Sequence, residues 1–193
     1  MPPSRLHSVA WRFADMTPTS TDKAPRAQVS SWHRIEDSSV PPQMKCAANY
    51  QNGRHATIQA RADGYNEAIL LTRSGKVAES AGACLMAIRD GIVITPTVTG
   101  SILESVTRAT LIELFERELS MEVQQREIDR TELYVCQEVF LCGSGYEVMP
   151  IVDIDGYRIG DGTVGKNTQA IFDTYDAATR GANNRYDHWL TSV

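Results

Sequence analysis

The sequence predicts an α+β domain of many short strands and three helices. Three observations carry this. The apolar runs are brief and end in turn chemistry: Arg73, Ser74 and Gly75 lie between the runs 67–72 and 76–79, and Arg89, Asp90 and Gly91 between 84–88 and 92–94. Helical periodicity recurs at 49–62, 106–119 and about 167–180, without the regular βα alternation of a doubly wound sheet. With 42% apolar and 22% charged residues in 193, the chain has the make-up of a globular domain able to bury a core.

Taken in order, residues 1–28 hold four of the eight prolines (Pro2, Pro3, Pro18, Pro25) and a Thr/Ser cluster at 17–21. Such a stretch cannot bury enough apolar surface to offset its chain entropy, so it reads as a disordered arm, with 29–193 as the folded domain. The alternation from Val29 to Arg34 predicts a first strand, stopped by Asp37, Ser38, Ser39 and the Pro41-Pro42 pair. In the helix at 49–62 the candidate inner positions are Tyr50, Gly53, Ile58 and Ala62, and Asp63-Gly64 is its stop. Beyond the two hairpins, a Thr/Ser-rich loop leads to Ser105, a candidate N-cap for 106–119, where Leu111, Leu114, Phe115 and Leu119 have inward spacing. A strand at 122–125, a helical turn at 130–133 and a buried-looking strand at 138–142 follow, the last ending in Gly143, Ser144 and Gly145. One strand at 148–154, a short return at 157–159 and the final helix complete the domain.

Several classes are disfavoured. A net charge of -5, with 19 basic and 24 acidic residues interspersed, argues against a nucleic-acid surface. No apolar run approaches the ~18 residues of a membrane span and no apolar signal segment leads the chain, so a soluble cytoplasmic protein is expected. The amphipathic stretch 5–13 leaves a mitochondrial transit segment as the alternative, weakened by Asp15 and Asp22. Cys46, Cys84, Cys136 and Cys142 show neither CxxC spacing nor a His pattern and read as small buried apolar residues, not as a metal site or disulfide framework. There is no GxGxxG and no Walker loop, and residues 143–145 spell GSG, not GxSxG. What does stand out is Lys45, one of four lysines, set between a strand-like run with a Pro-Pro break and an apolar-faced helix, a placement that suggests a partly buried amine. Glu79 is the other, at the end of its strand beside Ser80, Ala81, Gly82 and Ala83, whose small side chains let another group come close.

The pieces VSSWHR, MKCAANYQNGR, VAESAG, ILESVTRATLIEL, EVFLCGSGYEVMPI, IDG with IGDG, and WLTSV follow one another from Val29 to the C-terminus. In that order they resemble the large domain of the fold-type IV pyridoxal-phosphate aminotransferases, and among these the branched-chain amino-acid aminotransferases. The resemblance implies the large C-terminal domain of the D-amino-acid aminotransferase-like fold, a short-stranded pseudo-barrel with flanking helices, working as a homodimer on small amino acids and 2-oxo acids. The family's small N-terminal domain carries a phosphate-binding arginine and forms part of the neighbouring subunit's site. Little precedes Val29 here, so the chain reads as lacking most of that domain.

Pyridoxal 5'-phosphate is an aldehyde that a tethered amine captures as a Schiff base, and the lysine freed by substrate then moves a proton. Lys45 matches that lysine, and burial together with the positive ring system is expected to favour its neutral form. Glu79 matches the carboxylate at the pyridine nitrogen, and Tyr50 the tyrosine at the phenolic oxygen. Leu103 matches the residue packed on the ring face. Val106 and Thr107 match the phosphate-binding pair at a helix N-terminus, and Ser144 stands where a threonine hydroxyl commonly serves the phosphate. Gly145 and Tyr146 fall in the turn that receives the substrate carboxylate, although a small residue is usual at the position of Tyr146. The activity implied is transamination of branched-chain L-amino acids with 2-oxoglutarate, with Lys45 as catalytic residue. The alternatives are an inactive remnant that binds cofactor or a partner, and another fold-type IV activity such as a D-amino-acid aminotransferase or aminodeoxychorismate lyase.

Overall fold

The computed structural model describes residues 25–191, so the arm expected over 1–28 falls outside the described residues up to residue 24. The fold itself starts before Val29: strand β1 is Arg26–His33, and Ala27 is fully buried. Helix α1 (Tyr50–Ala62) leads to the hairpin of β2 (Glu67–Leu71) and β3 (Val77–Ser80), then to β4 (Cys84–Arg89) and β5 (Ile92–Thr95). Helix α2 (Val106–Arg117), β6 (Val123–Gln125), β7 (Glu138–Gly143), β8 (Glu147–Ile151), β9 (Asp153–Ile154), β10 (Tyr157–Arg158) and α3 (Lys166–Thr179) complete it. Both hairpin turns use the left-handed backbone that their sequences favour, with φ of 83° at Gly75, 52° at Asp90 and 80° at Gly91.

The strands sort into two five-stranded sheets, β10-β9-β1-β2-β3 and β6-β5-β4-β7-β8. One cluster of side chains, including Ile69, Leu85, Leu141, Ile151 and Ile154, fills the space between them. The far face of the second sheet packs Met86, Phe140 and Val148 against Leu111, Leu114 and Phe115 of α2 and Ile171 of α3. On the far face of the first sheet, Ala68 and Leu70 meet Ala56 and Ala60 of α1. The order of layers is helix, sheet, sheet, helices, which explains why β2, β3, β4 and β7 are buried along nearly their whole length and read as continuous apolar runs, not as alternating ones.

Two expectations are corrected. The single strand at 148–154 is two strands in different sheets: β8 pairs with β7, whereas β9 pairs with β1. The switch falls at Val152, whose amide donates to the Pro25 carbonyl at 3.2 Å and whose carbonyl accepts from Ile159 at 3.0 Å, drawing the chain across. The inner face of α1 is Gly53, Ala56 and Ala60, not Tyr50 and Ile58, which are 47% and 56% exposed. The reason is closeness: a Cβ at Gly53 would stand 2.6 Å from the Ala81 carbonyl oxygen, so only small residues fit between α1 and the turn after β3. Among the described residues no helix is long and apolar enough to cross a membrane.

Candidate active site

A cleft of about 240 Å³ opens where the ends of the two sheets meet the segment before α1 and the N-terminus of α2. Its floor comes from strand ends. β3 delivers Glu79 and then turns at once, because the Ser80 hydroxyl accepts from the amides of Gly82 at 3.3 Å and Ala83 at 3.0 Å. That turn, with Gly143 packed on Ala83, lines the floor with side chains too small to fill it.

Glu79 is buried, and its carboxylate is held from two sides. Arg34, the residue after β1, places Nη2 2.6 Å from Oε1, and the Leu103 amide donates to Oε2 at 3.2 Å. Burial nonetheless dominates and raises the Glu79 pKa to about 7, against the lowering effect of Arg34 and the Leu103 amide. Burial likewise pushes the Cys84 thiol beside it up to about 12, which removes it as a nucleophile.

The wall opposite is the rim segment before α1. Asn49 is buried there and its Nδ2 donates to the carbonyls of Pro41 at 2.9 Å and Met44 at 2.8 Å, while its Oδ1 accepts from the Cys46 thiol at 3.3 Å. One side chain thereby fixes the loop that carries Lys45. Lys45 lines the cleft but is exposed, as is its neighbour Met44 at 59%; this corrects the expectation of a partly buried amine, because the segment that carries it is exposed at most of positions 43–48. Tyr50, at the start of α1, also lines the cleft and is half exposed.

The third wall is the loop into α2. Ser105 caps that helix as expected, its hydroxyl accepting from the Arg108 amide at 3.3 Å. The amides of Val106 and Thr107, which open the helix, are the donors that geometry leaves for an anion. Leu103 and Val106 line the cleft. Thr107 does not: it is buried. What Thr107 offers is therefore its backbone. Arg108 anchors the same loop from beneath, donating to Thr95 Oγ1 at 3.1 Å, the Pro96 carbonyl at 2.7 Å and Gln125 at 2.9 Å.

Ser144 and Gly145, in the turn between β7 and β8, are exposed and line the cleft. Tyr146 is not part of the lining. Its ring leaves the cleft and packs against the inter-sheet core beside Gly82, and its hydroxyl donates to Glu67 Oε1 at 3.1 Å. The Tyr146 amide is taken by the Gly143 carbonyl at 3.1 Å, whereas Gly145 itself lines the cleft.

Sequence reasoning missed two residues, Arg34 and Asn49. Each lies inside a quoted segment, VSSWHR and MKCAANY, but the partners that give it meaning lie elsewhere: Glu79 for Arg34, and two loop carbonyls for Asn49.

A cleft with an amine on one wall, a buried carboxylate in the floor and a helix N-terminus on the third side has the donor set of a phosphorylated-cofactor site on a two-sheet α+β domain. The family profile described as amino-transferase class IV matches residues 2–154, and the chain belongs to that family. It is 45% identical over 173 residues to a probable branched-chain-amino-acid aminotransferase of Aquifex aeolicus, covering 90% of this chain and 56% of that protein. It is 34% identical to the branched-chain-amino-acid aminotransferase of Salmonella typhimurium, covering 89% of this chain and 55% of that one. Among solved structures, the branched-chain amino acid aminotransferase of Thermobaculum terrenum in its PLP form superposes with a TM-score of 0.86 at 42% identity, over 87% of this chain and 55% of that one. The branched-chain aminotransferase of the thermophilic archaeon Thermoproteus uzoniensis, with norvaline, superposes with a TM-score of 0.83 at 38% identity, over 87% and 55%. The chain therefore spans about half the length of the curated relatives it matches.

Proposed function

We propose that the chain acts as a pyridoxal-phosphate aminotransferase that converts the branched-chain L-amino acids leucine, isoleucine and valine, with 2-oxoglutarate, to branched-chain 2-oxo acids and glutamate. One observation carries this reading: Lys45, Glu79, Leu103, Val106, Ser144 and Gly145, from separate segments, line a single cleft. The residues fit the cofactor. The N-terminus of α2 and the Ser144 hydroxyl suit a phosphate, Leu103 suits one face of a ring, and the small residues after β3 leave room for it. Glu79, buried and charge-paired, suits a protonated ring nitrogen.

Bound there, pyridoxal phosphate would supply a carbonyl for an amine and a ring that accepts electrons from the substrate Cα. The chain does the rest. Lys45 Nζ is the amine that would anchor the cofactor covalently and, once free, would carry the proton at the substrate Cα. Tyr50 orients the ring's phenolic oxygen, and Glu79 keeps a negative charge at the ring nitrogen. The Val106 and Thr107 amides hold the phosphate, and the Gly145 amide receives the substrate carboxylate. We take the protein to work as a homodimer in the cytoplasm. Large apolar side chains exposed around the cleft mouth, Met44, Tyr50 and Val106 at 59%, 47% and 82%, support the first, and the buried, unbridged Cys84, Cys136 and Cys142 the second.

A second reading, cofactor binding without turnover, is favoured by one fact, that Lys45 lines the cleft from an exposed rim, where solvent weakens the interactions an amine makes. The same experiment separates the two. Pyridoxal phosphate added to the purified chain is expected to give a visible absorbance and, after borohydride, a stable adduct located on Lys45 by mass spectrometry. Equal spectra from wild type and Lys45→Ala would sink the cofactor reading. An adduct on Lys45 without glutamate formation from leucine and 2-oxoglutarate would leave binding alone.

A further inference from the structure

We propose that Arg34 is a positioning residue for the cofactor: it fixes the Glu79 carboxylate in the floor of the cleft and keeps it ionised, so that a proton on a ring nitrogen is retained through a residue that Arg34 holds. The proposal rests on the reading of the cleft as a pyridoxal-phosphate site.

The geometry is specific. Arg34 extends past the end of β1, with its amide locked to the Leu71 carbonyl of β2 at 2.8 Å, so its side chain spans β2 to reach Glu79 on β3. The pairing of β1 with β2 shifts register between Val29 and His33, the irregularity that precedes this reach. Both side chains are almost wholly buried, 7% exposed for Arg34 and 6% for Glu79, at an Nη2···Oε1 distance of 2.6 Å. Arg–carboxylate pairs are frequently forks of two parallel bonds, which add energy as well as geometry. Here Arg34 Nε is buried without an acceptor, so the pair forgoes the fork and leaves a donor unmet. That arrangement is a poor way to gain stability and an effective way to place a positive charge beside one carboxylate oxygen.

The surroundings leave the task to Arg34. From β4 the neutral Cys84 thiol lies 3.9 Å from Glu79 Oε2, and from the loop before α2 comes the Leu103 amide. Lys45 and Tyr50 line the rim and Glu104 the loop into α2, all on the cleft but none bonded to Glu79, and Arg108 is committed to Thr95, Pro96 and Gln125. Burial opposes ionisation of Glu79 and Arg34 is the main group working against it. Without Arg34 the carboxyl takes up a proton, and no anion then faces the ring nitrogen.

The test uses Arg34→Gln, which removes the charge, and Arg34→Lys, which keeps it. The first readout is the titration of the Glu79 carboxyl by carbon-13 NMR without cofactor, assigned by its loss in Glu79→Gln. The wild-type midpoint is expected near 7. In Arg34→Gln it moves up by about 1–3 pH units, and in Arg34→Lys by less than about one. The second readout is the affinity for pyridoxal phosphate followed by its visible absorbance, expected to fall at least ~10-fold in Arg34→Gln and to be largely restored in Arg34→Lys. Should Arg34→Gln not fold, Arg34→Met, which also removes the charge, takes its place: the charge-removing variant must shift the titration up by at least about one unit, and the lysine by less. Wild type that takes up no pyridoxal phosphate overturns the cofactor reading and the proposal with it. Wild type that takes it up, with Arg34→Gln titrating and binding like it, overturns the proposal alone.

Discussion

The floor and the rim of the cleft are built differently. Glu79 and Arg34 are set by strand ends, are buried, and are paired with each other, with the Leu103 amide also on Glu79, before any ligand arrives. Lys45, Tyr50, Val106, Ser144 and Gly145 stand on loops and helix ends, are exposed, and owe their place to a few local contacts such as the Asn49 clamp. Folding therefore pairs the charges of the floor, whereas the rim groups proposed to meet substrate and phosphate stand open to solvent, which weakens every charge interaction they make. The contrast can be broken from either side.

The largest effect belongs to the floor. The Glu79 carboxyl has a folded pKa raised from 4.5 to about 7, so in that window the folded chain binds the proton more than the unfolded one. Its contribution to stability is fully present below pH 4.5 and is lost as pH rises through about 7, a swing of about 3 kcal/mol at most. Urea unfolding without cofactor across pH 4.5–8 is expected to show that decline in wild type and a much flatter profile in Glu79→Gln. Parallel profiles for the two proteins would mean that the floor carries no such strain.

Next comes the seam between floor and rim. In Gly53→Ala the new methyl meets the Ala81 backbone at 2.6 Å, and backbone cannot give way as a flexible side chain would. The expected loss is about 1–3 kcal/mol of stability, with the start of α1 displaced from the turn after β3. An unchanged urea midpoint would show that α1 is held more loosely than its packing implies.

The rim itself should respond locally. Asn49→Ala leaves the Pro41 and Met44 carbonyls without their donor, at a cost of about 1–2 kcal/mol. The expected signature is faster hydrogen exchange over residues 41–46 while the sheets stay protected, together with weaker trapping of Lys45 by borohydride. Exchange that rises equally in the sheets would dissolve the distinction between rim and floor.

This division also marks what could be read from the sequence. The hairpins, the Ser105 cap and the inward face of α2 were legible because each rests on residues a few positions apart. The inner face of α1 was not, since Gly53, Ala56 and Ala60 are selected by closeness, which apolar periodicity does not record. The break at Val152 was hidden too, because residues 148–154 read as one strand-length run and only the partners of β8 and β9 differ. In the site, Lys45 and Glu79 could be picked out by setting and motif. Arg34 gains its meaning only from Glu79, which packing alone brings to it. The exposure of Lys45 depends on what lies above the rim, and nothing local in MKCAANY encodes that.

Tyr146 gives the smallest effect and the sharpest test of the boundary. It follows Gly145 directly, yet its ring turns into the inter-sheet core and its hydroxyl meets Glu67, whose carboxyl is pushed up by burial and drawn back down by that bond. Tyr146→Phe keeps the ring and removes the bond, so Glu67 is expected to titrate higher still and the chain to lose about 1 kcal/mol. The turn itself is held by the Tyr146 amide on the Gly143 carbonyl, which the substitution leaves intact. Pyridoxal-phosphate uptake should therefore stay within about twofold of wild type. A tenfold loss of uptake at near-normal stability would show instead that the phenol steers Ser144 and Gly145, and that the floor reaches further into the rim than burial suggests.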